Sequence, residues 1–236
     1  TSIYGTDIYL GFIHIQGLEN KLGNLIEENR KTDGDFADLN DFITRIQPGL
    51  AQLIILIRAG ALRFTGKQKA ILLWEAHMLV NKSKPDLIRP LFTQPVRNFC
   101  LPRLEKDILD DAYDEIELLG FPVSCTWFDM LETSYRGDLT ARELTRNKGK
   151  SVRMIGHLVC IKYIKTIKKE LMNFGCFIDP EGNYFDTTHF PQSLKQYTFK
   201  GAGSYLIRGK VVEEFGYPSL EVEKMLKLPV RPDRRY

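Results

Sequence analysis

"IKYIKTIKKELMNFGCFIDPEGNYFD", residues 161–186, sets Lys162, Lys165, Lys168 and Lys169 among β-branched and aromatic residues, then closes on Asp-Pro-Glu-Gly-Asn. Proline, glycine and asparagine together favour a tight turn. Alternation before it is that of a half-buried strand, so the stretch reads as a strand end, a basic loop, a second strand and a turn into a third. Met172, Phe174 and Cys176 share one face of the second strand. Phe174 is therefore either an outward aromatic able to stack on a base or a core ring; in the first case Phe177, on the opposite face, is the core residue.

Working outward, "SVRMIGHLVCIKYIK", "ELMNFGCFID", "YFDTTHF", "SYLIRGKVVEEF" and "SLEVEKML" are five strand-like runs, with a short helix starting near Pro191 between the third and fourth. That is the sequence order of an OB-fold barrel. Gly156 and Gly209, each in mid-strand, permit the coiling a small barrel needs.

Upstream the pattern is helical. Leu18, Leu22, Leu25 and Ile26 follow helical spacing with Gly17 at the entrance. Asp38 caps "LNDFITRI", which must end before Pro48. "LAQLIILIRAGA" follows as a buried helix. Thr65 and Gln68 then form a capping box for a helix with the stripe Ile71, Leu72, Trp74 and Met78. Prolines 85, 90, 95 and 102 mark an extended connector. An amphipathic acidic helix follows through Ile108, Leu109, Ala112, Ile116 and Leu119, stopped by "GFP" at 120–122. A second capping box, Thr140 to Glu143, starts a short helix. The fold class is α+β and multidomain: an all-α helix-hairpin-helix domain at 1–80, a connector at 81–104, a helical linker at 105–147 and a five-stranded OB-fold β-barrel at 148–236.

The 236 residues carry a net charge of +3, too little to identify a partner, but the charges are segregated. Residues 105–117 hold seven acids against one lysine, and residues 148–170 seven bases against one acid. This predicts one face for an anion and another turned away from it. Cys100, Cys125, Cys160 and Cys176, like His14, His77, His157 and His189, lack metal-ligand spacing and fit reduced thiols in a cytoplasmic protein. His189 near Asp186 has no nucleophile or metal partner and reads as structural. No apolar run approaches the roughly 20 residues of a membrane span. The first residue is Thr1 with no leader after it, and the chain is expected to be a piece of a longer polypeptide.

The motif series then resembles a known family. "IQGLENKLGNLIEENRKTDGDFADLNDFITRI", "LIRAGALRFTGKQKAILL", "DEIELLGFPVS" and "GKSVRMIGHLVCIKYIKTIKKELMNFGCFIDPEGNYFDTTHFP" occur in the order seen in the C-terminal part of the bacterial DNA polymerase III alpha subunit, the C-family replicative polymerase. Essentially the whole chain is covered. One departure is Gly17-Leu18-Glu19, where the family usually continues Gly-hydrophobic-Gly; it sets a carboxylate where a phosphate oxygen is expected. The palm aspartates that hold catalytic magnesium in the family have no counterpart here.

The resemblance implies a bacterial, cytoplasmic, DNA-binding part of a DNA-directed DNA polymerase, inactive alone and without a cofactor of its own, the parent using magnesium. Duplex DNA is expected at Gly17, Lys21, Arg63, Gly66, Lys67 and Lys69, where free amides at the second hairpin's helix start would meet phosphate. Single-stranded DNA is expected at Arg153, Lys162, Lys165, Lys168, Lys169 and Phe174, as on the second and third strands and first loop of OB barrels. Leu91 and Phe92 are expected to reach the sliding clamp, with Ile88 in place of the usual leading glutamine. Other replisome subunits complete the partners; a membrane is not among them. Two alternatives stay open: an RNA-binding OB module of the anticodon-binding type, and a replisome protein-interaction domain.

Overall fold

The apolar stripes of the N-terminal segments meet as helices in one core. A computed structural model describes residues 2–5, 7–81, 107–214 and 216–235. They divide into two units, Thr1–Ser124 with Asp233–Tyr236, and Cys125–Pro232. The connector, with Leu91 and Phe92, lies outside the described residues.

The first unit opens with an antiparallel hairpin, β1 (Ser2–Tyr4) and β2 (Asp7–Tyr9). Helices α1 (Asn20–Asp33), α2 (Leu39–Ile46), α3 (Leu50–Arg58), α4 (Lys69–Asn81) and α5 (Ile108–Leu119) follow. Leu22, Ile26, Leu39, Phe42, Ile46, Leu53, Leu56, Ile57, Leu62, Leu72 and Ala76 are buried together. Asp38 caps α2 by accepting the Asp41 N–H at 2.8 Å. The α3 end is closed by Gly60 at φ 77°: its N–H reaches the Ile57 carbonyl and the Ala61 N–H the Leu56 carbonyl, satisfying two orphan acceptors. Arg45 joins α1 to α2 through Asn29 Oδ1 at 2.8 Å and the Gly34 carbonyl at 2.9 Å, with its guanidinium 4.3 Å over the Phe36 ring.

Several local expectations are corrected. The Thr65–Gln68 capping box does not form. Thr65 ends a 3₁₀ turn and donates its hydroxyl to the Leu62 carbonyl at 2.8 Å, so α4 starts only at Lys69. Trp74 is 51% exposed, whereas Leu72 and Ala76, one turn apart, form the buried ridge. Ile108 is exposed too, because α5 turns Leu109, Ala112 and Leu118 inward together with Asp114 and Glu115. Those carboxylates tolerate burial because each has partners: Arg58 Nε donates to Asp114 at 2.7 Å, and Glu115 accepts the Val123 and Ser124 N–H groups at 2.7 Å each.

The second unit is a closed barrel of β3 (Ser151–Lys165), β4 (Leu171–Ile178), β5 (Tyr184–His189), β6 (Ser204–Glu214) and β7 (Tyr217–Lys227), in the order β3-β4-β5-β7-β6. β6 pairs back to β3, and β5 runs parallel to β7 while the other pairs are antiparallel. With α6 (Pro191–Gln196) between β5 and β6, this is the OB-fold order. The interior holds Met154, Phe177, Phe185, Tyr205, Ile207, Val211 and Leu220, with Phe177 and Phe185 stacked at 5.6 Å. Phe128 and Leu131 pack with Ile155 and Leu228 on the outside of the wall. At Gly209, where the β6–β7 register shifts, an added Cβ would lie 2.3 Å from the Glu221 carbonyl oxygen. Only glycine lets the two strands approach this closely.

Candidate nucleic-acid interface

Asp179 is the residue from which the barrel's hairpin turn is built. Its buried carboxylate accepts the N–H of Glu181 at 3.0 Å, of Asn183 at 2.8 Å and of Ala141 at 2.8 Å, which fixes the Asp-Pro-Glu-Gly-Asn turn and ties it to the preceding segment. Cross-strand register then sets the outer face of β3–β4–β5. Lys162 lies opposite Phe174, and Phe174 opposite Thr188; in the neighbouring row Cys160, Cys176 and Asp186 are aligned. Phe174 is 38% exposed on this face and Phe177 is fully buried.

Lys162, Lys165, Lys168 and Lys169 are all exposed, and none makes an ion pair among the described residues. The loop that carries Lys168 and Lys169 is held by Thr166: its N–H reaches the Glu170 carbonyl, and its carbonyl accepts the Lys169 N–H at 2.8 Å. Lys169 takes up φ 61°, a left-handed conformation that glycine enters more cheaply. Burial first, and then the Asp186 carboxylate, push the Cys176 thiol up to about 11, so it is no nucleophile at neutral pH.

Tyr184, 66% exposed, lies on the same face from β5, two rows of the ladder from Phe174. Sequence reading missed it, although the alternation in "YFDTTHF" opposes Tyr184 to the buried Phe185. His189 is buried and shares a 2.9 Å hydrogen bond with Thr187 Oγ1; burial holds its ring near pKa 4, consistent with a structural role.

Arg153 falls elsewhere. It lies on the other half of β3, opposite Arg208, and grips Asp138 through Nε at 3.1 Å and Nη2 at 3.0 Å. That guanidinium, helped by the Tyr135 hydroxyl, holds the Asp138 carboxyl down at about 2.

In the helical unit the cations of the second hairpin are engaged. Arg63 pairs with Glu115 at 3.1 Å, Lys67 with Glu75 at 2.6 Å and Lys69 with Asp111 at 2.8 Å. The acidic helix α5 folds onto Arg63 and Lys69 of this second hairpin. Of the amides at that turn, Gly66 N–H reaches the Arg63 carbonyl and Lys67 N–H reaches Thr65 Oγ1. At the first hairpin, Gln52 donates to the Gly17 carbonyl and accepts the Glu19 N–H, while Lys21 is exposed on α1. Among the described residues no three His, Cys, Asp or Glu side chains come together as a metal site. Nor is any helix among them long and apolar enough to cross a membrane.

A family model described as a helix-hairpin-helix motif matches residues 1–72. No curated protein sequence matches the chain. Among solved structures, the N-terminal domain of the PriB protein from Thermoanaerobacter tencongensis is similar at a TM-score of 0.29 and 9% identity, over 34% of this chain and 96% of that one. The second OB-fold domain of replication protein A from Methanococcus maripaludis is similar at 0.27 and 12% identity, over 36% and 91%. Rim1, a mitochondrial single-stranded DNA binding protein from S. cerevisiae, is similar at 0.26 and 13% identity, over 34% and 96%.

Proposed function

We propose that this chain is a DNA-binding portion of a bacterial replicative polymerase of the alpha-subunit type, whose barrel holds single-stranded DNA on the outer face of β3–β4–β5. The observation that carries the reading is the contrast in charge pairing. The second-hairpin cations Arg63, Lys67 and Lys69 have carboxylate partners, whereas Lys162, directly opposite the exposed Phe174, and Lys165, Lys168 and Lys169 at the end of the same β3–β4 hairpin have none among the described residues. Unpaired cations can neutralise phosphate without first losing a protein partner, and a ring beside them offers stacking to any base. This suits an enzyme that must copy any sequence.

The helical unit is assigned the duplex backbone on its helix-hairpin-helix match. Arg63, Lys67 and Lys69 reach phosphate only by exchanging Glu115, Glu75 and Asp111, so this contact is the weaker of the two. The sliding clamp is assigned to Leu91 and Phe92. Nucleotidyl transfer belongs to other parts of the parent polymerase.

Fluorescence anisotropy with oligo-dT tests the reading. Phe174→Ala is expected to cost about 1–3 kcal/mol of binding, the range for one stacked base. Unchanged affinity contradicts it, and equal binding of RNA without any binding of primed duplex favours an RNA-binding module instead.

A further inference from the structure

A second line of cations crosses the barrel away from Phe174. Arg153 on β3 lies directly opposite Arg208 on β6, and Arg208 directly opposite Lys224 on β7, so three positive side chains stand in one row across three neighbouring strands. Like charges placed opposite one another destabilise a sheet. The compensation is incomplete: Asp138 pairs with Arg153 and Glu223 with Arg208, at 3.0 and 3.2 Å, while Lys224 has no ion pair among the described residues. The row borders a groove of about 430 Å³ whose lining adds Lys200, Lys227 and Tyr197. Leu226 in the next row is 58% exposed and supplies an apolar flank.

We infer that this row is a second binding strip for the phosphate backbone of single-stranded nucleic acid, continuing the path of a strand held on the Phe174 face. The inference rests on the function proposed above. Strands about 4.8 Å apart spread three cations over roughly 10 Å. That line matches a polymer charged at intervals better than one small anion, and five cations face two carboxylates. Arg153 and Lys162 lie nine residues apart on β3, roughly 30 Å along the strand, with Ile155 between them covered by Phe128 and Leu131, so only an oligomer long enough to pass around that cover reaches both. Tyr197 and Leu226 give the bases a surface beside the cations.

The test uses the whole chain and the double variant Lys200→Ala/Lys224→Ala, with oligo-dT of about four and about sixteen nucleotides, the limits of OB-fold site sizes. The salt dependence of long-oligomer binding is expected to flatten by about 1.4 in log–log slope, about 0.7 for each phosphate no longer neutralised, with short-oligomer binding unchanged. The melting temperature should hold or rise as repulsion is relieved. An unchanged long-oligomer slope overturns the strip, and leaves the Phe174 face standing if Phe174→Ala still weakens binding. If the unaltered chain binds neither oligomer, strip and proposed function fail together.

Discussion

Lys169 shows how one residue divides its duties between stability and binding. Its left-handed backbone, φ 61°, is a conformation that favours glycine, yet a lysine occupies it at the tip of the basic loop. Lys169→Gly is expected to raise stability by about 0.5–1 kcal/mol in thermal denaturation while flattening the salt slope of single-strand binding by about 0.7. A variant that gains stability but binds unchanged would show that the lysine has no part in the site. At this scale the sequence is informative wherever a strand alternates: Phe174 and Phe177, three residues apart on β4, occupy opposite faces because an odd separation requires it. It is silent on ion pairs, since the partner of Arg153 is Asp138, brought alongside only by the folded segment ahead of the barrel.

Elements were legible where their own pattern decides them. The five strands, their order and α6 follow from alternation and turn residues alone. The face of α5 was not legible, because cations on other helices stabilise Asp114 and Glu115 in positions that periodicity reserves for apolar residues. The β1–β2 hairpin escaped notice because its Ile3 and Ile8 are exposed and join no core stripe.

At the β6–β7 bulge, Gly209→Ala drives a methyl into the Glu221 carbonyl, and is expected to cost about 3 kcal/mol or more in urea unfolding. A loss under about 1 kcal/mol would mean that the strands separate easily there. Inside and beside the barrel, His189 and His157 are both held near pKa 4 by burial, with Lys227 adding to the effect at His157. Between that value and the ordinary 6.5 the unfolded chain binds more protons than the fold. Stability therefore rises with pH through this window and is lost on acidification, by about 3 kcal/mol for His189 alone. Imidazole NMR should find the His189 ring neutral at pH 5; titration near 6.5 would contradict its burial.

Across the whole molecule, composition marks a change near residue 148, whereas the compact unit begins at Cys125, because Phe128 and Leu131 pack on the barrel wall. Charge segregation was visible in the sequence, but its meaning was not. The acidic run offsets Arg63 and Lys69 of the second hairpin, while the lysines of the β3–β4 hairpin have no ion pair among the described residues. The most direct test of single-strand binding at that surface is a salt titration of oligo-dT binding by the whole chain and by Lys165→Glu/Lys168→Glu/Lys169→Glu. Tight, salt-dependent binding by the unaltered chain, with a slope shallower by about 2 in the triple variant, is the predicted result. Equal slopes for the two proteins would contradict it.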